Sequence, residues 1–167
     1  MKMTKIFLPV FLTFFTSCAS NGSDTNQPTI GDKPSWWFNP ATSESHYYAF
    51  AEARNQKWAT EEAIGGISRQ VKTYVNNEIR TWVREIGMED SPQLNRFVEA
   101  TQISTSENAI SGSVPDKYDE KNGKVYIRVS YEKDKVEKEL LIETKKEDVL
   151  YNEFKASQAF DRLERNN

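Results

Sequence analysis

Between Asn55 and about Ile86 the sequence repeats small and apolar residues at helical spacing: Ala59, Ala63, Ile67, Val71, Tyr74, Val75, Trp82 and Ile86 lie near one stripe. The spacing predicts a helix of about 30 residues, and a helix that long must bury its stripe against a second layer. Gly65 and Gly66 fall inside it. Each costs about 1 kcal/mol against Ala in a helix interior, so the expectation is that the pair admits the close approach of another backbone. A phosphate-binding role for the two is excluded by position, because that requires glycines in a strand-to-helix turn.

The rest of the chain supplies the second layer. His46 to Ala53 predicts a strand, with Tyr48 and Phe50 on one side and Tyr47, Ala49, Ala51 and Ala53 on a close-packing side. Gly87 ends the long helix, and Ser91-Pro92 supplies an N-cap followed by proline at the first helical position. Leu94, Phe97, Val98 and Thr101 form the inner face of the shorter helix that follows, and the Ser/Thr cluster Ser104 to Ser106 reads as a loop. Asn108 to Tyr118 alternates weakly through Ile110, Gly112 and Val114. Lys124 to Glu132 alternates firmly, with Val125, Ile127, Val129 and Tyr131 facing one way and Tyr126, Arg128 and Ser130 the other. Asn122-Gly123 between them is a hairpin signal.

Lys135 to Arg165 is helical in composition, with Val136, Leu140, Val149, Leu150, Phe154, Phe160 and Leu163 as apolar points. Its charged middle, Glu143 to Asp148, marks where it bends or leaves the domain. The order β-α-α-β-β-α predicts an α+β fold: a two-layer domain with a three-stranded antiparallel sheet packed by long helices on one face.

Composition then narrows the chemistry. One Cys and one His in 167 residues make neither a disulfide framework nor a structural zinc site, so the fold must hold together by packing. Four Trp and 12% aromatic residues predict a packed core. With 28% charged residues the chain is no polytopic membrane protein.

The N-terminus reads as an address. Lys2 and Lys5 precede the apolar run Ile6 to Phe15, interrupted by Pro9 and Thr13, and the small polar pair Thr16 and Ser17 follows, the order of a secretory signal over residues 1–17. A run of ten residues falls short of the roughly 20 that a membrane-spanning helix needs. Phe15-Thr16-Ser17-Cys18 resembles the lipobox of bacterial lipoproteins, with Phe15 where Leu is usual. The resemblance implies cleavage before Cys18 and makes Cys18 the lipid attachment residue, carrying diacylglycerol and acyl lipid, with no other cofactor. Each acyl CH2 buried in lipid contributes about 0.8 kcal/mol, so several chains on one residue anchor a protein stably.

Cleavage there removes 17 of the 167 residues, Lys2 and Lys5 among them, and moves the formal charge from −3 to −5. An acidic mature chain argues against nucleic acid as a partner. It also leaves attachment to the lipid rather than to a basic patch. Ala19 stands where, by resemblance to the sorting rule of many diderm bacteria, Asp would favour the inner membrane. The outer membrane is therefore the expected location, on its periplasmic or its surface face.

Ala19 to Lys33 is rich in Ser, Asn, Gly, Asp and Thr, with Pro28 and one aliphatic residue, Ile30. It cannot bury enough apolar surface to offset its ordering entropy, so residues 18–33 are expected to form a flexible tether and 34–167 one domain. Pro34-Ser35-Trp36-Trp37-Phe38-Asn39-Pro40 opens that domain.

Pro34-Ser35-Trp36, Tyr48-Ala49-Phe50-Ala51-Glu52-Ala53 leading into an alanine-containing helix, and Phe154-Lys155-Ala156-Ser157-Gln158-Ala159-Phe160 resemble the LPP-twenty family of small bacterial outer-membrane lipoproteins, which includes flagellum-associated members. The resemblance covers most of the chain after the tether, with Ala51 where the family commonly has glycine. It implies an anchored envelope protein without enzymatic activity, some relatives assembling around the flagellar motor.

The residues point the same way. His46 sits at a strand start, where a solvent-facing edge position is expected, and no Gly-x-Ser-x-Gly elbow occurs. Asp116, Asp119 and Glu120 match no twelve-residue calcium loop. Two functions remain. One is a non-catalytic structural or interaction component that self-associates or docks on another envelope protein, with Trp36, Trp37 and Phe38 as contacts, since Trp is enriched at interface hot spots. The other is a ligand-binding or adhesive lipoprotein whose aromatics line a site. Sealing the start of the domain is the plainer role for the three aromatics.

Overall fold

The computed structural model describes residues 33–38 and 43–167. Cys18, the signal segment and residues 19–32 of the tether lie outside the described residues. A single turn, α1 (Ser35–Phe38), precedes β1 (His46–Ala53), α2 (Gln56–Ile86), α3 (Pro92–Gly112), β2 (Val114–Lys121), β3 (Lys124–Glu132), α4 (Lys133–Lys145), α5 (Asp148–Phe154) and α6 (Gln158–Asn166). The fold is α+β, as expected, with a three-stranded antiparallel sheet in the order β1-β3-β2.

Local chemistry places the boundaries. The Asn55 side chain accepts a hydrogen bond from Trp58 N–H at 3.0 Å and starts α2. Gly87, at φ 68°, stops it, and Met88 N–H donates back to the Val83 carbonyl. Ser91 caps α3 in the same manner, by accepting from Leu94 N–H, with Pro92 at its first position. Asn122 and Gly123 take φ values of 52° and 68°, the pair of positive angles that a two-residue type I′ hairpin requires.

The sheet turns one face to α2. Ala49 and Ala51 of β1 and Val125, Ile127 and Val129 of β3 are buried there against Ala59, Ala63, Ile67 and Val71. Gly66 makes the close approach expected of it, since a Cβ on Gly66 would stand 2.7 Å from Ala49 Cβ; one on Gly65 would meet only Arg69 Nη1 at 3.7 Å. Contacts along α2 give its direction. Gln70 Nε2 donates to the Tyr48 carbonyl at 2.8 Å and Tyr74 packs edge-on against Tyr47, so residues beyond about Tyr74 run past the His46 end of the sheet. There Trp82 packs on Phe154 and Phe160, at ring-centroid distances of 5.3 and 4.9 Å, and forms a second, helical part of the core with Leu94, Phe97 and Leu163. With 31 residues α2 is about 46 Å long at 1.5 Å per residue, and it ties the sheet end of the domain to the helical end.

Three expectations need correction. The second helix is not short: it continues to Gly112, so the Ser104 to Ser106 cluster is helical and the weak alternation from Asn108 becomes a strand only at Val114. Thr101, Thr105 and Ala109 extend the inner stripe, all at most 2% exposed, and packing overrides the modest helix propensity of Ser and Thr. The final helix breaks at Lys146-Glu147, inside the charged stretch where a bend is expected, but breaks a second time at Lys155-Ser157, so it is three helices. Finally, α1 lies on the sheet face opposite α2, so helical structure is not confined to one face.

Candidate functional site

The outer face of the sheet carries the three aromatics singled out from sequence. Trp36 stacks on Phe50 with centroids 6.3 Å apart; Trp37 meets Phe50 edge-on at 5.9 Å and Tyr126 at 5.5 Å. Trp36 and Trp37 are half-buried, Tyr126 is fully buried, and Phe38 is 42% exposed. Two of the three thus cover the sheet, and Phe38 is the one presented to solvent.

The chain reaches this face at the end of β1. Lys33 Nζ lies 2.7 Å from Glu52 Oε2 and 4.3 Å from the centre of the Trp37 ring, and Lys124 Nζ donates to Glu52 Oε1 at 2.9 Å. Hydrogen bonds from Lys33 and Lys124 hold the Glu52 carboxyl below the usual carboxylate range. The first described residue is therefore clamped beside the β2–β3 turn.

Farther along the same face the register of β2 shifts between Pro115 and Lys117. The irregularity turns Asp116 onto Arg128, whose Nε bonds both carboxylate oxygens at 2.9 and 3.0 Å while Nη2 bonds Oδ2 at 2.6 Å. Arg128 is 9% exposed and its guanidinium lies 4.7 Å from the Tyr48 ring centre. His46 stacks on the other end of this row, 6.0 Å from Tyr48, with Nδ1 2.9 Å from Ser45 Oγ. His46 is half-buried rather than fully solvent-facing. The row offers stacking and cation–π contact. A Ser-His pair between sequence neighbours, without a carboxylate bonded to the ring among the described residues, is a turn feature and not an activated nucleophile.

Elsewhere, Tyr47, Tyr74, Glu78 and Glu137 face one another between α2 and α4. Tyr74 Oη donates to Glu137 Oε1 at 3.4 Å; burial, then the charge of Glu137, pushes the Glu78 carboxyl upward. A cleft of about 430 Å3 between α3 and α4 is lined by Arg96, Phe97, Thr101, Glu143 and Lys146, opposite charges side by side. Within it Lys146 and Ser104 hydrogen-bond Glu143 at 2.7 Å each. Among the described residues no group of three or more His, Cys, Asp or Glu side chains is placed to hold a metal ion, and no helix is long and apolar enough to cross a membrane.

Sequence reasoning missed Trp58. It lies in the first turn of α2, 60% exposed, in the unbroken exposed run Arg54 to Trp58. The available signal was its place one residue, or about 100°, off the Ala59 stripe. No protein-family model matches the chain, and no curated protein or solved structure is detectably similar to it.

Proposed function

We propose that the chain is a bacterial lipoprotein, anchored to the outer membrane through diacylglycerol and acyl lipid on Cys18, and that it serves as a non-catalytic structural or protein-interaction component of the cell envelope. The observation that carries this is the N-terminal order of Lys2 and Lys5, an apolar run from Ile6 to Phe15, and Thr16-Ser17 directly before the sole cysteine. Its partners are then a second copy or another envelope protein, in keeping with the resemblance to the LPP-twenty family. Two features of the folded domain support the interaction role. The cleft between α3 and α4 is lined by side chains that neutralise one another rather than by groups left for a ligand, and Phe38, 42% exposed, stays open to a partner while Trp36 and Trp37 cover the sheet. Mass spectrometry of the chain extracted from membranes tests the anchor chemistry. The expected N-terminal peptide starts at Cys18 and carries the mass of the lipid; a peptide that retains residues 1–17, or a Cys18 with a free thiol, contradicts the proposal.

A further inference from the structure

We infer that the pole of the domain formed by the start of α2 and the β2–β3 turn rests against the bilayer, with Trp58 at the headgroup level. This deepens the proposed function and rests on the lipid anchor at Cys18.

Position is the first argument. Lys33 is clamped by Glu52 and Trp37 at the end of β1, so the chain coming from Cys18 joins the fold at this pole. Fifteen residue steps separate Cys18 from Lys33, a reach of at most about 50 Å even when fully extended. The long helix α2 leaves this pole and carries the helical end of the domain about 46 Å away from it. The pole with Trp58 is thus the end at which the anchored chain enters the fold.

Surface chemistry is the second. Arg54, Lys57 and Trp58 are exposed side by side, and Lys121 and Lys124 are exposed across the hairpin turn. Trp is enriched at the membrane–water interface because its ring is apolar and its N–H is polar, while Lys and Arg are drawn to anionic headgroups. The nearest acidic side chains on α2, Glu61 and Glu62, lie a helical turn farther from the tip; Lys57 approaches Glu61 only at 3.9 Å. Glu52 at this pole is shared by Lys33 and Lys124, and Asp119 and Glu120 lie on β2 behind Lys121, which approaches Asp119 at 3.8 Å, so Arg54 and Lys57 beside Trp58 are the cations set farthest toward the tip. Of the other exposed apolar side chains, Ile142 and Val149 are aliphatic and sit on helices toward the other end, while the aromatic Phe38 and Tyr118 lie on α1 and β2 and not at the start of α2.

The third argument is local stability. The first turn of α2 contains no acidic residue. Lys57 there opposes the helix dipole, and Trp58 takes the third position, where Glu or Gln would complete a capping box with the N-cap. Folding alone favours neither residue at its place, and a surface that meets an anionic, partly apolar medium favours both.

The test uses the full-length lipidated protein in vesicles of phosphatidylethanolamine and phosphatidylglycerol. Lipidation consumes the thiol of Cys18, so Gln56→Cys introduces a single site for an environment-sensitive fluorophore beside the intact Trp58; Val149→Cys places the same probe at the helical end. Flotation reports anchoring. The expected result is flotation of both proteins, a blue-shifted probe at position 56 quenched at least about twofold more by headgroup-level spin-labelled lipid than the probe at 149, and loss of most of that excess on adding Trp58→Ser. Flotation with both probes equally aqueous overturns the inference and leaves the anchor standing. Failure of the protein to float overturns the anchor and the inference with it.

Discussion

Gly66 of α2 lies flush against Ala49 of β1: a methyl group on Gly66 would come within 2.7 Å of the Ala49 Cβ. That separation fixes how closely the long helix settles on the sheet, and the neighbouring Gly65 has no such duty. Gly66→Ala is therefore expected to destabilise the domain by about 1–3 kcal/mol, the usual effect of overpacking. Gly65→Ala is expected to stabilise it by about 0.5–1 kcal/mol, because helix propensity improves without a clash. Urea titration of the two variants checks the opposite signs; equal effects would show that α2 does not pack on β1 at this spacing.

The bulge in β2 has an electrostatic purpose. It turns Asp116 onto Arg128, which is 9% exposed and fully engaged by the two carboxylate oxygens. Asp116→Asn leaves a nearly buried guanidinium with a neutral partner, and a loss of about 1–3 kcal/mol is expected from the weakened charge-assisted bonds. The double variant Asp116→Asn with Arg128→Met removes the stranded charge. It should recover part of that loss in chemical denaturation, while a double variant less stable than the sum of the two single variants would contradict the pairing.

Two glutamates on α2 respond to pH with opposite sign. Glu85 receives hydrogen bonds from the Ala159 backbone N–H and the Ser157 hydroxyl at the start of α6, and these hold its carboxyl below the ordinary value of 4.5. Its contribution is then complete above about pH 4.5 and is lost as pH falls through the folded-state value. Glu85→Gln should thus be less stable than the parent at pH 7 and converge with it in acid. Glu78 is pushed upward by burial and by Glu137, so it weakens the fold while charged and is relieved as pH falls through its raised value. Glu78→Gln should be more stable than the parent at pH 7, with the gain shrinking toward pH 4. Thermal melts of both variants across that range decide; a gain from Glu78→Gln that persists in acid would rule out ionisation as its cause.

Much of the fold is legible because its signals are local. The Ser91-Pro92 start, the Asn122-Gly123 turn and the alternation of Val125, Ile127 and Val129 each depend on a few neighbouring residues, and each appears where expected. What was illegible depends on partners distant in sequence. Ser104 to Ser106 read as a loop by propensity, yet Thr105 and Ser106 are buried, and Ser104 bonds Glu143 across to α4. The first break in the final helix falls in the charged stretch Glu143 to Asp148, but the second follows from docking, since Ser157 caps α6 while held by Glu85, 72 residues earlier. The match of Asp116 to Arg128 needs the strand register, which composition does not encode. The candidate residues divide likewise: Cys18 is read from a contiguous motif, whereas the half-burial of Trp36 and Trp37 and the exposure of Trp58 emerge only once the sheet has faces.

The anchor is the central claim, and replacement of one atom tests it. Cys18→Ser keeps the size of the side chain and removes the sulfur that would carry the lipid. Expressed in a diderm bacterium fed a palmitate analogue, the parent protein is expected to incorporate label and to fractionate with the outer membrane. The Cys18→Ser protein is expected to lose the label and to leave the membrane fraction. Label retained at parental level in Cys18→Ser would contradict the account.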